Sequence, residues 1–599
     1  MKAFNKVLFI IGISAAFAAC NTLEQFSPSS FSAEETYSDY NLARYAVNGI
    51  YEAYVTTTAY RSDYMTYYGA NTDCEYWLNP SDTDEKNTMC EYRILPTNTY
   101  VNRSNAYDFF PATFISIERA NVAIHNLRKY GNVENDFKMA HLLGEALTMR
   151  AAFYADLLNY YGEVPARFEP IGSDNVYLPK ADKDEIYKQL LPSLEEAAQL
   201  MSFETHTTTV RASKAFAIGL YARLALQACG YSRRPDEGKV NTGDLGSIRK
   251  STDPELQPEI LYPKAIAMLD EVIQSQKYHL FENFEDLWHY YCNLKTSIDE
   301  NGSEMIFQMP FGINRGQHIY HNGVPNTKLG FGASPRKGCV PTLFFKFPPF
   351  DTRRDVTCCF FRWGATDNVS NTTETLRADK CYFGKFRYDW MKDHPYTAKD
   401  AEDGAKFPVL RYADIYLMAS EMANEMDDLP AAKDYMRPVL ERAFHDEIEV
   451  NQYLDSLDSK TKFFQAIKDQ RAFEFTGEML RKQDLIRWGC LKEALDSTIS
   501  ELKHLLKPAK ADQVNGYGYT DNLYFKVDPN DPYKVDIKFV KTGESLPQGY
   551  SVGNHFFSTC SSKLASYYYV EDPDLWMYRP IPSSIIIASL GTLQNDYGY

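Results

Sequence analysis

Beyond its first twenty residues the 599-residue chain has no apolar run approaching the roughly 20 residues that a membrane-spanning helix needs. It also lacks a basic excess: 63 Lys and Arg face 80 Asp and Glu, a net charge of −17. That balance excludes the electrostatic footprint of a nucleic-acid or anionic-lipid binder and suits a neutral or cationic ligand. Cysteine is sparse, with 11 residues and no Cys-x-x-Cys pair, so no zinc-finger ligand set is expected and neither a metal nor a cofactor is predicted. Cys74 and Cys90 fall in one loop region and could form a disulfide, whereas Cys229 reads as a buried thiol in an apolar helix. A glycine-rich phosphate loop is missing too. What the chain does have is enough apolar material for a large core, 44% of residues, and 44 tyrosines, whose rings combine a flat apolar face with a hydroxyl.

Helical periodicity dominates the regular parts. Between Gly144 and Gly162 the residues Ala146, Met149, Phe153, Leu157 and Tyr160 form one apolar stripe, stopped by Gly162 and Pro165. Further helices are predicted over Asp184 to Met201, Arg211 to Cys229 with a small stripe of Ala215, Gly219, Ala222 and Ala225, and Pro263 to Lys277 with proline in its first turn. From Phe281 to about Lys406 the chain is rich in Gly, Pro, Asn and aromatics and reads as loops and short strands. Helix returns at Val409, continues over Leu429 to Phe444 and Thr461 to Gly477, and gives way to irregular chain after Ile499. Hairpins of this size resemble degenerate tetratricopeptide units.

The N-terminus has Lys2 and Lys6, an apolar run from Val7 to Phe17, and Ala18-Ala19-Cys20, which reads as a signal peptide over 1–19. Small residues before a cysteine look like a lipobox and imply acylation of Cys20. Further markers follow in order. They are Gly144-Glu-Ala-x-x-x-Arg-Ala, Asn159-Tyr-Tyr-Gly-Glu-Val-Pro165, Arg211-Ala-Ser-Lys-Ala, Ser303-Glu-Met-Ile-Phe307, Leu410-Arg-Tyr-Ala-Asp-Ile-Tyr-Leu, Arg471-Ala-Phe-Glu-Phe-x-Gly-Glu and Asp484-Leu-Ile-Arg-Trp-Gly489. The chain stops with Met577-Tyr-Arg-Pro-Ile-Pro and Gly591-Thr-Leu-Gln-Asn-Asp-Tyr-Gly-Tyr599. This series resembles the SusD/RagB family across nearly the whole mature chain, with Gln470 standing where the family tends to have Glu. The resemblance implies a mainly α, SusD-like fold with degenerate tetratricopeptide hairpins and a large loop-rich portion with short strands. Its N-terminal region would span 20–235 and its C-terminal region 262–599, the two forming one continuous globular fold. It further implies a non-catalytic lipoprotein, anchored through Cys20 in the outer membrane and facing the cell surface. Such a protein binds a glycan and delivers it to a SusC-type TonB-dependent transporter. A secreted glycan-degrading enzyme, a protein-binding helical scaffold and a peptide-binding nutrient lipoprotein are the competing readings.

Catalytic patterns are weak by comparison. Glu474 and Glu478 lie four apart on a helix, with Cβ atoms roughly 5–6 Å apart, a separation that suits retaining glycosidases. Arg471, Arg481, Asp484 and Arg487 nearby point instead to an ion-pair network with no acid held protonated. Gly549-Tyr-Ser-Val-Gly553 lacks the strand-turn-helix context of a nucleophile elbow, the His318 and His321 pair has no third metal ligand, and Asp528-Pro-Asn-Asp-Pro lacks the glycine of a calcium loop. A sugar site needs aromatic faces and hydrogen-bonding amides on loops. The candidates are Tyr76, Trp77 and Asn79 in one stretch and Asn314, Arg315, His318 and Tyr320 in another, with Asn322 beside them; Trp288, Tyr290 and Tyr291 read rather as packing residues. Glycan contacts in the family come mainly from these two parts of the chain.

Overall fold

The computed structural model describes residues 31–62, 67–78, 85–102, 108–204, 207–298, 302–326, 329, 333–364, 380–393, 401–505, 516–531, 533–554, 556–557 and 568–599. Its frame is a stack of helices: α1 (Phe109–Tyr130), α2 (Phe137–Tyr161), α3 (Lys183–Leu200), α4 (Lys214–Cys229), α5 (Pro258–Gln274), α6 (Tyr412–Glu425), α7 (Leu429–Phe444) and α8 (Lys460–Phe475). Each packs on the next from α1 through α7, and α5 bridges α4 and α6. The loop-rich stretch between α5 and α6 therefore leaves the stack and returns to it. Short strands accompany that stretch and the C-terminal region.

Local chemistry explains the helix ends. Asp136 caps α2 by accepting from the backbone N–H groups of Lys138 and Met139, and Ser213 caps α4 by accepting from Phe216. Gly162 ends α2 with φ of 74°, and a Cβ there would lie 3.0 Å from the Tyr597 ring, so glycine both stops the helix and admits the C-terminal tail. Several boundaries differ from expectation. α5 begins at Pro258, which occupies the first-turn position assigned to Pro263, and Pro263 lies inside the helix. Val409 and Leu410 belong to a strand, Pro408–Arg411, antiparallel to Met305–Gln308, and α6 starts only at Tyr412. The small stripe of α4 receives Leu410 from that strand: a Cβ on Gly219 would sit 2.3 Å from a Leu410 methyl. The region after Ile499 is also more regular than expected. A helix continues to Leu505, and Tyr519–Val527 then forms the centre of a three-stranded antiparallel sheet with Val535–Lys541 and Ser551–Asn554. Cys74 and Cys90 are separate free thiols, packed in different hydrophobic clusters, and Cys229 is buried with its thiol donating to the Leu256 carbonyl at 3.4 Å.

The tail closes the molecule by hydrogen bonding. The Asp596 carboxylate pairs with Lys180 and accepts from the backbone N–H groups of Asn241, Thr242 and Gly243 at 2.9, 3.0 and 2.8 Å. Asn595 exchanges two bonds with the Ile581 backbone, N–H to Oδ1 at 2.8 Å and Nδ2 to carbonyl at 3.0 Å. Asp596→Asn weakens the Lys180 pair and is expected to lower stability by roughly 1.5–3 kcal/mol in urea unfolding; an unchanged midpoint would mean that the tail is not held through this carboxylate.

Candidate functional site

One segment, 334–339, joins the two candidate regions. On one edge Tyr76 pairs with Gly338 and Trp77 with Lys337 in antiparallel register, and the Leu78 N–H donates to the Arg336 carbonyl at 2.8 Å. On the other edge Ser334 donates to the Tyr320 carbonyl and Arg336 to the His321 carbonyl, both at 2.8 Å. A buried Glu75–Lys337 pair at 3.0 Å, with Glu75 also accepting from the Gly477 N–H at 2.9 Å, ties this segment to the end of α8.

The surface beside it is built from the 311–317 loop lying on 402–406. The Asp403 N–H donates to the Gly316 carbonyl at 2.9 Å, and a Cβ on Gly404, whose φ is 74°, would come within 1.9 Å of the Ile313 carbonyl. Only glycine permits that approach. The loop is also tied to the N-terminal region, where Gln317 N–H donates to the Arg61 carbonyl at 3.1 Å, and the Arg61 guanidinium holds Glu402 at 3.0 Å and Thr57 at 3.2 Å. Ile313, Asn314 and Arg315 stand exposed on it, Tyr320 is half-buried, and Arg61, Thr57 and Glu402 complete the patch. The patch thus offers one phenol ring, two guanidinium groups, an amide, a carboxylate and a hydroxyl, a donor and acceptor set matched to a polyhydroxylated ligand.

Asp403 underlies the patch and is fully buried. Its carboxyl accepts from the backbone N–H groups of Tyr320 and Ala405, both at 2.9 Å. Burial outweighs these bonds and pushes its pKa up from 3.8 to about 8, with the neighbouring Glu402 adding to the rise. A carboxyl whose folded-state pKa is raised contributes stability that is present below pH 3.8 and is lost as pH climbs to about 8, because the unfolded chain releases the proton first. Wild-type stability is therefore expected to decline across that window by more than in Asp403→Asn, which denaturant unfolding at several pH values will measure; parallel profiles would contradict it.

The candidate residues divide by access. Asn314 and Arg315 are exposed and Tyr320 is reachable. Tyr76 and Trp77 differ from the exposed platform expected of them, being 1% and 6% exposed, because strand pairing turns Trp77 onto Tyr67 with ring centroids 5.4 Å apart. His318 is buried likewise, its Nδ1 bonded to the Tyr291 hydroxyl and its ring packed on Phe386 and Phe407. Asn322 is buried beneath it. Trp288 and Tyr291 are core residues, and Tyr290 is partly buried. Asn79 and Cys20 lie outside the described residues. Arg61, Thr57, Glu402 and Asp403 carry no local pattern that marks them; Arg61 and Glu402 meet across 341 positions of sequence.

The two carboxylates do not share a helix as expected, because α8 ends at Phe475 and Glu478 lies in the turn after it, and ion pairs occupy both. Glu474 is buried and receives Arg442 at 2.6 Å, Arg411 at 3.0 Å and Arg353 at 3.1 Å. Burial alone would raise its pKa, but these three guanidinium groups together hold it well below the usual carboxylate range. Glu478 pairs with Arg411 at 2.6 Å and Lys385 at 2.9 Å. The expected partner of Glu474 needs correcting: Arg471 reaches Asp414 and Asp484 instead, at 2.7 and 2.8 Å. Gln470 keeps its place in the network as a neutral group, accepting from Arg353 at 2.6 Å. Ser551 of the Gly-x-Ser-x-Gly match begins a strand of the three-stranded sheet and is exposed, with no helix after it among the described residues before Ser583.

Comparison with known proteins gives this geometry a context. The model of the SusD family matches residues 361–599, and a model described as "Starch-binding associating with outer membrane" matches 108–226. A SusD-like protein, P25 of Formosa agariphila, is 24% identical over 537 residues, covering 83% of this chain and 92% of its own. Among solved structures, a SusD homolog from Bacteroides thetaiotaomicron superposes with a TM-score of 0.69 at 18% identity, covering 94% of this chain and 98% of its own. Surface glycan-binding protein A from the same organism, solved in complex with laminarihexaose, superposes with a TM-score of 0.57 at 18% identity, covering 93% of this chain and 99% of its own. The chain thus matches the SusD family model over 361–599 and a SusD-like family model over 108–226, and it carries a SusD-like fold through nearly all of its length.

Proposed function

We propose that the protein binds a glycan without cleaving it, at the outer membrane, and passes it to a SusC-type TonB-dependent transporter. The observation that carries this reading is the contrast between two sites. The only carboxylate pair singled out at a glycosidase-like spacing is saturated by arginine and lysine, while an open polar patch with a reachable ring is held in place by a buried acid and a close glycine contact. Asn314, Arg315 and Tyr320 touch the ligand in this reading, and Tyr76, Trp77 and His318 support them from below. A hydrolase needs a protonated acid that reaches the sugar linkage, whereas Asp403, though held protonated, is buried beneath the patch with its carboxyl engaged by the backbone of Tyr320 and Ala405. The laminarihexaose held by a structural neighbour and the starch-binding description of the matched family model support a carbohydrate ligand.

The lipid anchor at Cys20 and the transporter partner belong to the same reading. Exposed Ile115, Ile171, Val176 and Tyr177 surround an apolar groove of about 450 Å³ between α1 and the C-terminal helix Ser583–Ala588, which supports a protein partner. Affinity electrophoresis against a panel of polysaccharides, with reducing ends counted in parallel, tests the function. Retardation by at least one polysaccharide without new reducing ends is expected. Retardation by none would favour a scaffold or a peptide binder, and new reducing ends would favour an enzyme.

A further inference from the structure

Three thiols distant in sequence converge at the end of the 334–339 segment. Cys339 ends the strand that begins at Lys337, Cys358 begins a two-residue strand, and Cys381 precedes Tyr382–Phe383. The 381–383 segment is central. It pairs with Cys358–Cys359 through Cys358↔Phe383 and Cys359↔Tyr382, and its Cys381 carbonyl accepts from the Cys339 N–H at 2.9 Å. This arrangement brings the sulfur atoms of Cys339, Cys358 and Cys381 within 4.8 Å of one another, all three residues 1% exposed or less. Side-chain alternation along a strand explains why Cys359, next in sequence, stays out: its thiol turns to the Phe361 carbonyl at 3.2 Å.

We propose that Cys339, Cys358 and Cys381 form a three-thiolate site for a soft metal ion of the Cu(I), Zn(II) or Cd(II) class. A lone buried cysteine behaves as a small hydrophobe, but three sulfurs meeting at one point give the soft donor set that such ions select. No histidine or carboxylate joins the group among the described residues, so the site is sulfur-only and discriminates against Mg(II) and Ca(II). Arg354 and Asp355 both lie within electrostatic reach of Cys358, but they pair with each other at 2.8 Å, so neither is counted toward the site. Binding would release three thiol protons and form three metal–sulfur bonds with no change in oxidation state. Because Cys339 closes the segment 334–339, which bonds to the Tyr320 and His321 carbonyls, the ion would brace that segment. With all three residues buried, metal enters during folding.

The test is to unfold the full mature chain in reducing denaturant, refold it with Cd(II), remove excess metal by chelating resin, and read the thiolate-to-cadmium charge-transfer absorbance and the bound metal. One Cd(II) per chain with that absorbance is expected, together with a higher unfolding midpoint than protein refolded with chelator. Both should be lost in Cys339→Ser, Cys358→Ser and Cys381→Ser and kept in Cys359→Ser. A serine variant that fails to refold is replaced by alanine at the same position, with circular dichroism confirming the fold. No cadmium in refolded wild type, cadmium retained by the triple variant, or a disulfide joining two of the three in protein isolated from the cell envelope would each overturn the proposal. Glycan retention is not a readout here, so the outcome is independent of the proposed function.

Discussion

Glu474→Gln is expected to destabilise the protein by roughly 3–5 kcal/mol in chemical unfolding while leaving glycan affinity unchanged. The substitution preserves shape but removes the negative charge on which Arg442, Arg411 and Arg353 converge. Those arginines are 3% exposed or less along their side chains, so water cannot take over the lost partner. Glu304 still serves Arg411 and Arg442, and Asp351 still serves Arg353, but each loses a charge-assisted bond. An exposed pair provides the comparison. Lys462→Ala breaks a bond to Asp458 whose side chains are 59% and 62% exposed, and should leave the unfolding midpoint nearly unchanged. A Glu474→Gln protein as stable as wild type would mean that the network does not hold α8 to the loop-rich portion.

Gly404→Ala is the second large effect, and it acts on the ligand surface. The backbone there is left-handed and the added methyl would meet the Ile313 carbonyl, so strain of roughly 1–3 kcal/mol is expected, relieved by lifting the loop that carries Asn314 and Arg315. Affinity for a retained polysaccharide should fall about tenfold or more, with little change in circular dichroism. Gly312→Ala, in the same loop, is the control, because its new Cβ would meet nothing closer than Arg315 Cγ at 4.0 Å. Equal affinities for the two variants would show that the loop does not position ligand contacts.

Helical periodicity was legible because the stack buries one stripe per helix: Ala146, Met149, Phe153 and Leu157 are all fully or nearly fully buried. The strand at Pro408–Arg411 was not, because Leu410 and Ala413 happen to fit a helical stripe, and only pairing with Met305–Gln308 separates them. The helix Phe109–Tyr130 also escaped the pattern reading. Its mixed stripe of Ala112, Thr113, Ser116, Ile117 and Asn121 is buried through small and polar residues that carry little apolar signal. At the site, residue type singled out Arg315 and Tyr320, but type alone cannot say which face of a strand an aromatic takes, and Tyr76 and Trp77 turned inward. Arg61 and Glu402, and the three converging thiols, depend on contacts across long sequence separations.

Titration calorimetry with a retained polysaccharide tests the central claim most directly, comparing wild type with Arg315→Ala, Tyr320→Ala and Glu474→Gln. Loss of a stacking ring costs roughly 1–3 kcal/mol with other flat ligands, so Tyr320→Ala should weaken binding by about fivefold to more than a hundredfold. Arg315→Ala should weaken it as well, and Glu474→Gln should match wild type at a temperature where it remains folded. Intact binding in both loop variants with loss in the α8 variant would contradict the account and place the site at the buried carboxylates.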